Sequence, residues 1–303
     1  MIYKPLIESK ELILLRIINN RMNTSAKEKQ YYYNLEKGFE GEKLFAASIE
    51  KLSNDRIIIH DLLLEYNNTL FQIDTLLIAQ THIYLFEVKN FEGDYYLEGD
   101  KLLTFSEIEV KNPLLQLQRS ASLLRQLLQK AGITLPIEAN VVFVNPEFTL
   151  YQTPKNVPVI FPTQLTKFLE KIEKNPSKLN QKHHNLAKKL VAMHITDSPF
   201  SNLPAYTYDG LKKGMTCLGC GGVFCNLNRI NLICKKCGCC ETVDSAVLRN
   251  IEEFRLLFPE RKLTTNVVYD WCGGIGPKKQ IKRILATNFK QIGDKRFTYY
   301  VKE

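Results

Sequence analysis

No run of about 18 apolar residues occurs in the 303 residues of this chain, so the sequence offers no candidate membrane span. The first residues, MIYKPLIESKELILLRI, are broken by charge and lack the apolar region of a secretion signal. Cysteine is missing from residues 1–216, and seven of the eight cysteines fall between Cys217 and Cys240. Such clustering excludes a disulfide framework spread through the fold and points to a reducing, cytoplasmic setting. Histidine is scarce, with five in all. His183 and His184 are neighbours on a helical stretch and point about 100° apart, so with His194 they read as a surface helix. His60 and His82 lie in strand-like stretches and read as packing or surface residues. Acidic charge is the minority, 32 against 41 basic residues, which leaves a net +9. That balance favours a polyanionic partner without requiring one. At 45% hydrophobic and 24% charged, the composition is that of a globular protein. The length allows one large domain or two to three smaller ones.

The stretch from Phe71 to Asn90, FQIDTLLIAQTHIYLFEVKN, organises the rest. It reads as two apolar strands, 70–78 and 82–88, joined by a turn at 79–81. Asp74 stands inside the first strand, where aspartate is disfavoured. The second strand ends in Glu87-Val88-Lys89. Alternation puts Glu87 and Lys89 on one face, with Phe86 and Val88 on the other. Charges beside an apolar core are costly unless they are paired or bind a metal. A carboxylate set of this kind suits Mg²⁺, which takes oxygen ligands and keeps several waters.

Around this pair the pattern predicts an early helix over 7–21, a polar linker over 24–30 and an amphipathic helix over 38–52. Glu42 falls near the start of the latter, where the helix dipole favours an acid. A strand is expected over 56–64 and a hairpin over 93–109. Asn112-Pro113 opens a helix to about 130, with asparagine as N-cap and proline in the first turn. Further strands are expected at 138–144 and 157–161, and helices at 164–174 and 178–194. Helix, three strands, helix, strand is the order of a mixed α/β core.

Four blocks carry a resemblance: Gly38-Phe39-Glu40-Gly41-Glu42, Gln72-Ile73-Asp74, Glu87-Val88-Lys89-Asn90 and Asn112-Pro113-Leu114-Leu115-Gln116. In this order and spacing they resemble the PD-(D/E)xK nuclease superfamily, and within it the nuclease-related domain, the NERD family. The resemblance covers roughly residues 35–150. It implies a restriction-endonuclease-like mixed sheet flanked by helices. It further implies that Glu42, Asp74 and Glu87 are acidic site residues, that Lys89 is the site lysine, and that Gln116 is a helix-borne glutamine of the site. No position in these blocks departs from the family pattern.

Residues 197–214, with several prolines and glycines, read as a linker. Beyond them Cys217-Leu-Gly-Cys220 and Cys234-Lys-Lys-Cys237 form two Cys-x-x-Cys knuckles, the spacing of a structural Zn²⁺ ribbon. Glycines after each pair permit tight turns, and metal binding would supply much of the folding free energy of so short a segment. Cys239 and Cys240 compete with Cys237 for the fourth ligand position. Three helices, over 243–258, 265–272 and 277–290, and a strand over 297–301 follow. From 243 to 303 there are 12 basic and 7 acidic residues, so +5 sits there. Lys278, Lys279, Lys282 and Arg283 crowd the start of the third helix, and Lys295 and Arg296 occupy a turn. This order resembles a winged helix-turn-helix, which would place the third helix in a groove and the turn on phosphate.

The expectation is therefore an α/β protein of four parts. They are a nuclease-like domain over 1–196, the linker, a zinc ribbon over 215–242 and a winged-helix-like domain over 243–303. The expected activity is Mg²⁺- or Mn²⁺-dependent hydrolysis of nucleic acid, DNA before RNA. The alternative is a non-catalytic nucleic-acid-binding or regulatory protein on the same scaffold. A protein adaptor built on the zinc ribbon is a third reading.

Overall fold

A computed structural model describes the chain except residues 53–54, 197–200, 224–225, 228–229, 275 and 303 and the side chains of residues 226, 227 and 296. The chain divides into two compact units. One comprises Met1–Glu8 with Tyr33–Phe200, the other Ser9–Tyr32 with Ser201–Glu303. Residues 9–32, which fall within the stretch 1–196 expected as one domain, cluster with residues 201–303.

The order along the first unit begins with β1 (Ile2–Lys4). After α1 (Lys10–Arg21), which belongs to the second unit, come α2 (Ala26–Ile49), β2 (Ile57–Tyr66), β3 (Thr69–Ile78) and β4 (Ile83–Lys89). Then follow β5 (Gly93–Glu98), β6 (Lys101–Thr104), β7 (Glu109–Val110), α3 (Pro113–Lys130), β8 (Ile137–Phe143), β9 (Phe148–Tyr151), β10 (Val159–Ile160), α4 (Leu165–Lys174) and α5 (Gln181–Ala192). A six-stranded sheet has the order β1-β2-β3-β4-β8-β10. It is mixed: β2, β3 and β4 are antiparallel neighbours, whereas β1, β8 and β10 pair in parallel. Its strands read as near-continuous Ile, Leu and Val because helices cover both faces. Leu117, Leu124 and Leu128 of α3 and Leu186 and Leu190 of α5 share one core with the sheet. Phe45 and Ile49 of α2 and Leu169 and Ile172 of α4 share the other. This is the nuclease-like mixed α/β core that the sequence implied.

The polar stretch 24–30, expected as a linker, instead starts α2. Ser25 Oγ accepts from the Glu28 amide at 3.3 Å, while Glu28 Oε2 accepts from the Ser25 amide at 2.7 Å. This reciprocal cap was legible as Ser-x-x-Glu. Glu42 therefore lies deep in α2 rather than in a first turn, so the helix dipole does not account for it. The start of α3 is as expected: Asn112 Oδ1 accepts from the Leu114 amide at 2.9 Å, and Pro113 opens the helix.

In the second unit the remaining elements are β11 (Asn226–Leu227), β12 (Asn231–Ile233), β13 (Cys240–Thr242), α6 (Val243–Leu257), α7 (Thr265–Trp271), α8 (Lys278–Asn288), β14 (Lys290–Ile292) and β15 (Tyr299–Val301). One core joins Ile17 and Ile18 of α1, Cys217 and Cys234, Phe254 of α6, Trp271 of α7 and Leu285 of α8. Ribbon and helices are thus one body. The stretch expected as a linker feeds Leu211 into the same core. Arg21 is 1% exposed. Its guanidinium donates to Glu253 Oε2 at 2.6 Å, to Asn250 Oδ1 at 2.6 Å and to the carbonyls of Lys212 and Gly214. It also lies 4.1 Å from the centre of the Trp271 ring. Satisfied donors offset the cost of burying this guanidinium. Among the described residues, no helix is long and apolar enough to cross a membrane.

Candidate active site and cysteine cluster

The ladder between β3 and β4 runs from Ile78 opposite Ile83 to Thr75 opposite Phe86 and ends there. β4 continues alone beside β8 as far as Lys89 opposite Phe143. Where β3 departs, the Val88 amide loses its partner strand, and Asp74 Oδ2 accepts from it at 2.7 Å. The acid that looked misplaced in an apolar strand thus satisfies a buried amide. Glu87 is 1% exposed. Its Oε1 accepts from Lys89 Nζ at 2.6 Å, while its Oε2 is buried without a partner.

Glu42 joins them from α2. A Cβ added at Gly41 would lie 2.6 Å from Cβ of Asn90, so only glycine lets α2 settle onto the end of β4. Asn90 Nδ2 donates to the Lys37 carbonyl at 2.8 Å and ties helix to strand. Gln116 is half-buried in the first turn of α3.

Strict alternation fails at this level. In β2 the residues sharing a core with α3 are Ile57 and Ile59, then Leu62 and Leu64; in β3 they are Phe71 and Ile73, then Leu76 and Ile78. Both strands slip by one, at Asp61 and at Asp74 with Thr75. Asp61 has a φ of 49°, a left-handed conformation that aspartate tolerates better than most residues. The pairs His60–Thr75 and Leu62–Ile73 flank it, so it lies opposite Asp74. Lys4 Nζ holds the kink, donating to the Asp61 carbonyl at 2.7 Å and to Asp61 Oδ2 at 3.3 Å. Asp61 is a site neighbour that the sequence reading missed. Its signal, an acid inside an apolar strand, was the same as that of Asp74.

Burial raises the Glu42 carboxyl to about 9, with Asp74 and Asp61 adding to the effect and Lys89 opposing it. Burial, then Asp74, raises Glu87 to about 7 against the pull of Lys89. Burial raises Asp74 as well, although Lys89 and the Val88 amide resist. Burial pulls the Lys89 amine down, but Glu87, Asp74 and Glu42 outweigh it and keep it charged. With more carboxylates than cations, the set holds extra protons until a cation arrives.

This has a consequence for stability. Without divalent cation, folded Glu42 binds its proton up to about pH 9, whereas the unfolded chain releases it near 4.5. The folded state therefore holds more protons across that window, and stability falls as pH rises through it. Glu42→Gln is expected to flatten this fall. Solvent on the exposed part of the side chain screens the effect, so a gain in Tm of about 2–4 °C at pH 8, or about 1 kcal/mol, is expected in buffer without added Mg²⁺ or Mn²⁺. Thermal melts from pH 5 to 9 check it; parallel curves for the two proteins would remove Glu42 from the cluster.

Among the described residues, one group of three or more metal-type side chains closes to binding distance: Cys217, Cys220, Cys234 and Cys237, with all sulfurs within 4.8 Å of one another. Cys217 Sγ is 3.5 Å from Cys237 Sγ, and Cys220 Sγ is 3.5 Å from Cys234 Sγ. A tetrahedron with metal–sulfur legs of about 2.3 Å has edges of about 3.8 Å, so the cluster fits a zinc ribbon. Each knuckle turns at a glycine of positive φ: Gly221 donates to the Cys217 carbonyl and Gly238 to that of Cys234, both at 2.9 Å. Any side chain at Gly221 would strike Asn20 of α1 at 2.3 Å. Cys239 serves the second knuckle through its carbonyl, and Cys240 pairs with Ile233 in the ribbon sheet.

Lys278, Lys279, Lys282 and Lys295 are exposed. Arg283 is exposed too but donates to Asp244 Oδ2 of α6 at 2.6 Å. The Arg296 side chain lies outside the described residues.

Comparison with curated proteins and with solved structures returns no significant match. Residues 37–144 match the family model described as nuclease-related domain, NERD. All four sequence blocks and the Glu42, Asp74, Glu87 and Lys89 cluster fall within these bounds, so this part of the chain is similar to the nuclease-related domain.

Proposed function

We propose that the chain is a metal-dependent nuclease that hydrolyses phosphodiester bonds, DNA before RNA. The observation that carries this reading is the buried, unpartnered Glu87 Oε2 beside Asp74 and Lys89 where β3 leaves β4. An orphaned buried carboxylate oxygen is costly in itself and fits a cation. Asp74, Glu87 and the Val88 carbonyl would hold Mg²⁺ or Mn²⁺, aided by Glu42. When bound, the ion supplies Lewis acidity at phosphate and a lowered pKa for water. Lys89, kept charged by its acids, offers its ammonium to the charge that grows on the phosphoryl oxygens. Gln116, from the first turn of α3, positions the nucleophile or the backbone. Incubating pure protein with duplex, single-stranded and plasmid DNA and with RNA, with and without Mg²⁺ or Mn²⁺, tests the reading. No cleavage under any condition would leave the scaffold reading. That second reading has its own support in the 2.6 Å Lys89–Glu87 ion pair, which gives Glu87 a partner without a metal.

The four cysteines hold a structural Zn²⁺ in this reading, and the second unit grips nucleic acid. Helices α6, α7 and α8 and the β14–β15 hairpin, extended by a bridge between Leu263 and Tyr300, resemble a winged helix. α8 would enter the major groove of B-form DNA, which admits a helix, whereas that of A-form RNA does not. Substituting Lys278, Lys279 and Lys282 together by Gln is expected to flatten the slope of log affinity against log salt by about 2–3 units, at about 0.9 per phosphate contact. Adding Arg283→Gln changes it less, because Asp244 already pairs with that side chain. A salt titration on duplex DNA checks this; superimposable slopes would place the grip elsewhere.

A further inference from the structure

The second sheet of the first unit, β7-β6-β5-β9, has one face in the core and one outside. Tyr95, Phe148 and Leu150 belong to the inner face. On the outer face, Tyr96 lies across from Tyr151 on one side and from Leu103 on the other. Phe105, just past β6, completes an aromatic cluster, 5.2 Å from Tyr151 and 6.3 Å from Tyr96 between ring centres. These rings are not hidden: Phe105 is 63% and Tyr151 46% exposed, and Ile108 beside them is 62% exposed. Nothing in the carboxylate site uses them.

The surrounding charge identifies the occupant. In a chain of net +9, residues 92–110 carry six acidic side chains and one basic. Asp94 and Glu98 flank Tyr96 on its own face, and Glu109 lies opposite Leu103. All three are exposed. Aromatic rings alone would suit stacked bases, but this acidic excess, in which Lys101 across from Glu98 is the one basic residue, repels the phosphates that bases bring with them. Aromatic faces next to carboxylates instead suit guanidinium groups, which stack flat on a ring while their N–H donors reach carboxylate oxygens.

We propose that this face docks an arginine-bearing segment of a partner protein. Arginine is preferred to lysine, because a compact ammonium cannot stack and pair at the same time. The platform begins at Gly93, just past Lys89 and Asn90, so the partner would sit on the same unit as the carboxylate cluster. The inference is independent of catalysis and holds for an active or an inactive site.

The test is fluorescence anisotropy with the full chain and a labelled arginine–serine repeat peptide at physiological salt. Saturable binding is expected, with a lysine–serine peptide weaker. Phe105→Ala and Tyr151→Ala should each weaken the arginine peptide by about two- to fivefold, with an unchanged Tm because both side chains are exposed. Glu98→Gln with Glu109→Gln should weaken it further. Absence of saturable binding to the wild type, or equal affinity in the aromatic variants, overturns the proposal. Loss of oligo-dT binding in those same variants, with the peptide unaffected, would assign the face to nucleic acid instead. Loss of self-association on sedimentation, with the peptide unaffected, would assign it to a second copy of the chain.

Discussion

Asp74→Asn is expected to lower Mg²⁺-dependent cleavage by on the order of 10³-fold, the loss of several kcal/mol of charge stabilisation at phosphate. The fold should survive, because an asparagine oxygen can still accept from the Val88 amide, as Asp74 Oδ2 does at 2.7 Å. Glu87→Gln should lose a comparable amount by a different route. It removes the charge paired with Lys89 at 2.6 Å and converts the orphaned Oε2 into a poorer ligand. Without added Mg²⁺ or Mn²⁺ it should also make the protein more stable at pH 8 than the wild type. The wild-type carboxyl, raised to about 7, must ionise there against Asp74. Two readouts separate chemistry from folding: cleavage rate, and the rise in Tm on adding Mg²⁺. Both should vanish in each variant. Full activity in either one, or an undiminished Mg²⁺ response, would take that residue out of the site.

Cys217→Ser and Cys234→Ser are expected to abolish zinc retention, from about one per chain for a four-thiolate site. Structural zinc contributes about 10–16 kcal/mol in isolated ribbon-like peptides, and here the damage would spread. Cys217 and Cys234 are buried in the core that also holds Ile18, Phe254 and Trp271. The sole tryptophan, Trp271, is fully buried in that core and reports on it directly. Its emission should shift to the red in either variant, and in the wild type under a strong chelator. The nuclease-related unit, with its own two cores, should keep its cleavage of short substrates. Full zinc content by elemental analysis in both variants would refute these ligands.

What could be read from sequence alone was local. The knuckles are two short patterns with their glycines in place, and Asn112-Pro113 announces α3. The strands of the central pair show in their composition, and Asp74, Glu87 and Lys89 stand out as charges where apolar residues belong. What could not be read depends on register or on distance. Asp61 becomes a neighbour of Asp74 only because both strands slip by one residue at the same level, which no periodicity rule anticipates. Glu42 reaches the cluster through the close approach of Gly41 to Asn90, a tertiary fact. The helix start at Ala26 is a different kind of miss, since the Ser25–Glu28 cap was present in the sequence and its surrounding polarity masked it. α1 looked like any amphipathic helix; that its partners lie in the last third of the chain is invisible until the fold is known.

That placement has a consequence for how the molecule is made. Arg21 finds Glu253 only 232 residues further on. At about 5–20 residues per second of synthesis, α1 emerges on the order of 10–50 s before its binding surface exists. In that interval the nuclease-related unit can complete itself, since Tyr33–Phe200 needs only Met1–Glu8 from upstream. α1, with Leu14, Ile17 and Ile18 uncovered, cannot. Birth order therefore lets the first unit fold first and joins α1 to the last third of the chain afterwards. A ribosome stalled before Trp271 would release a folded nuclease-related unit trailing a sticky, unpaired helix, a natural substrate for a chaperone.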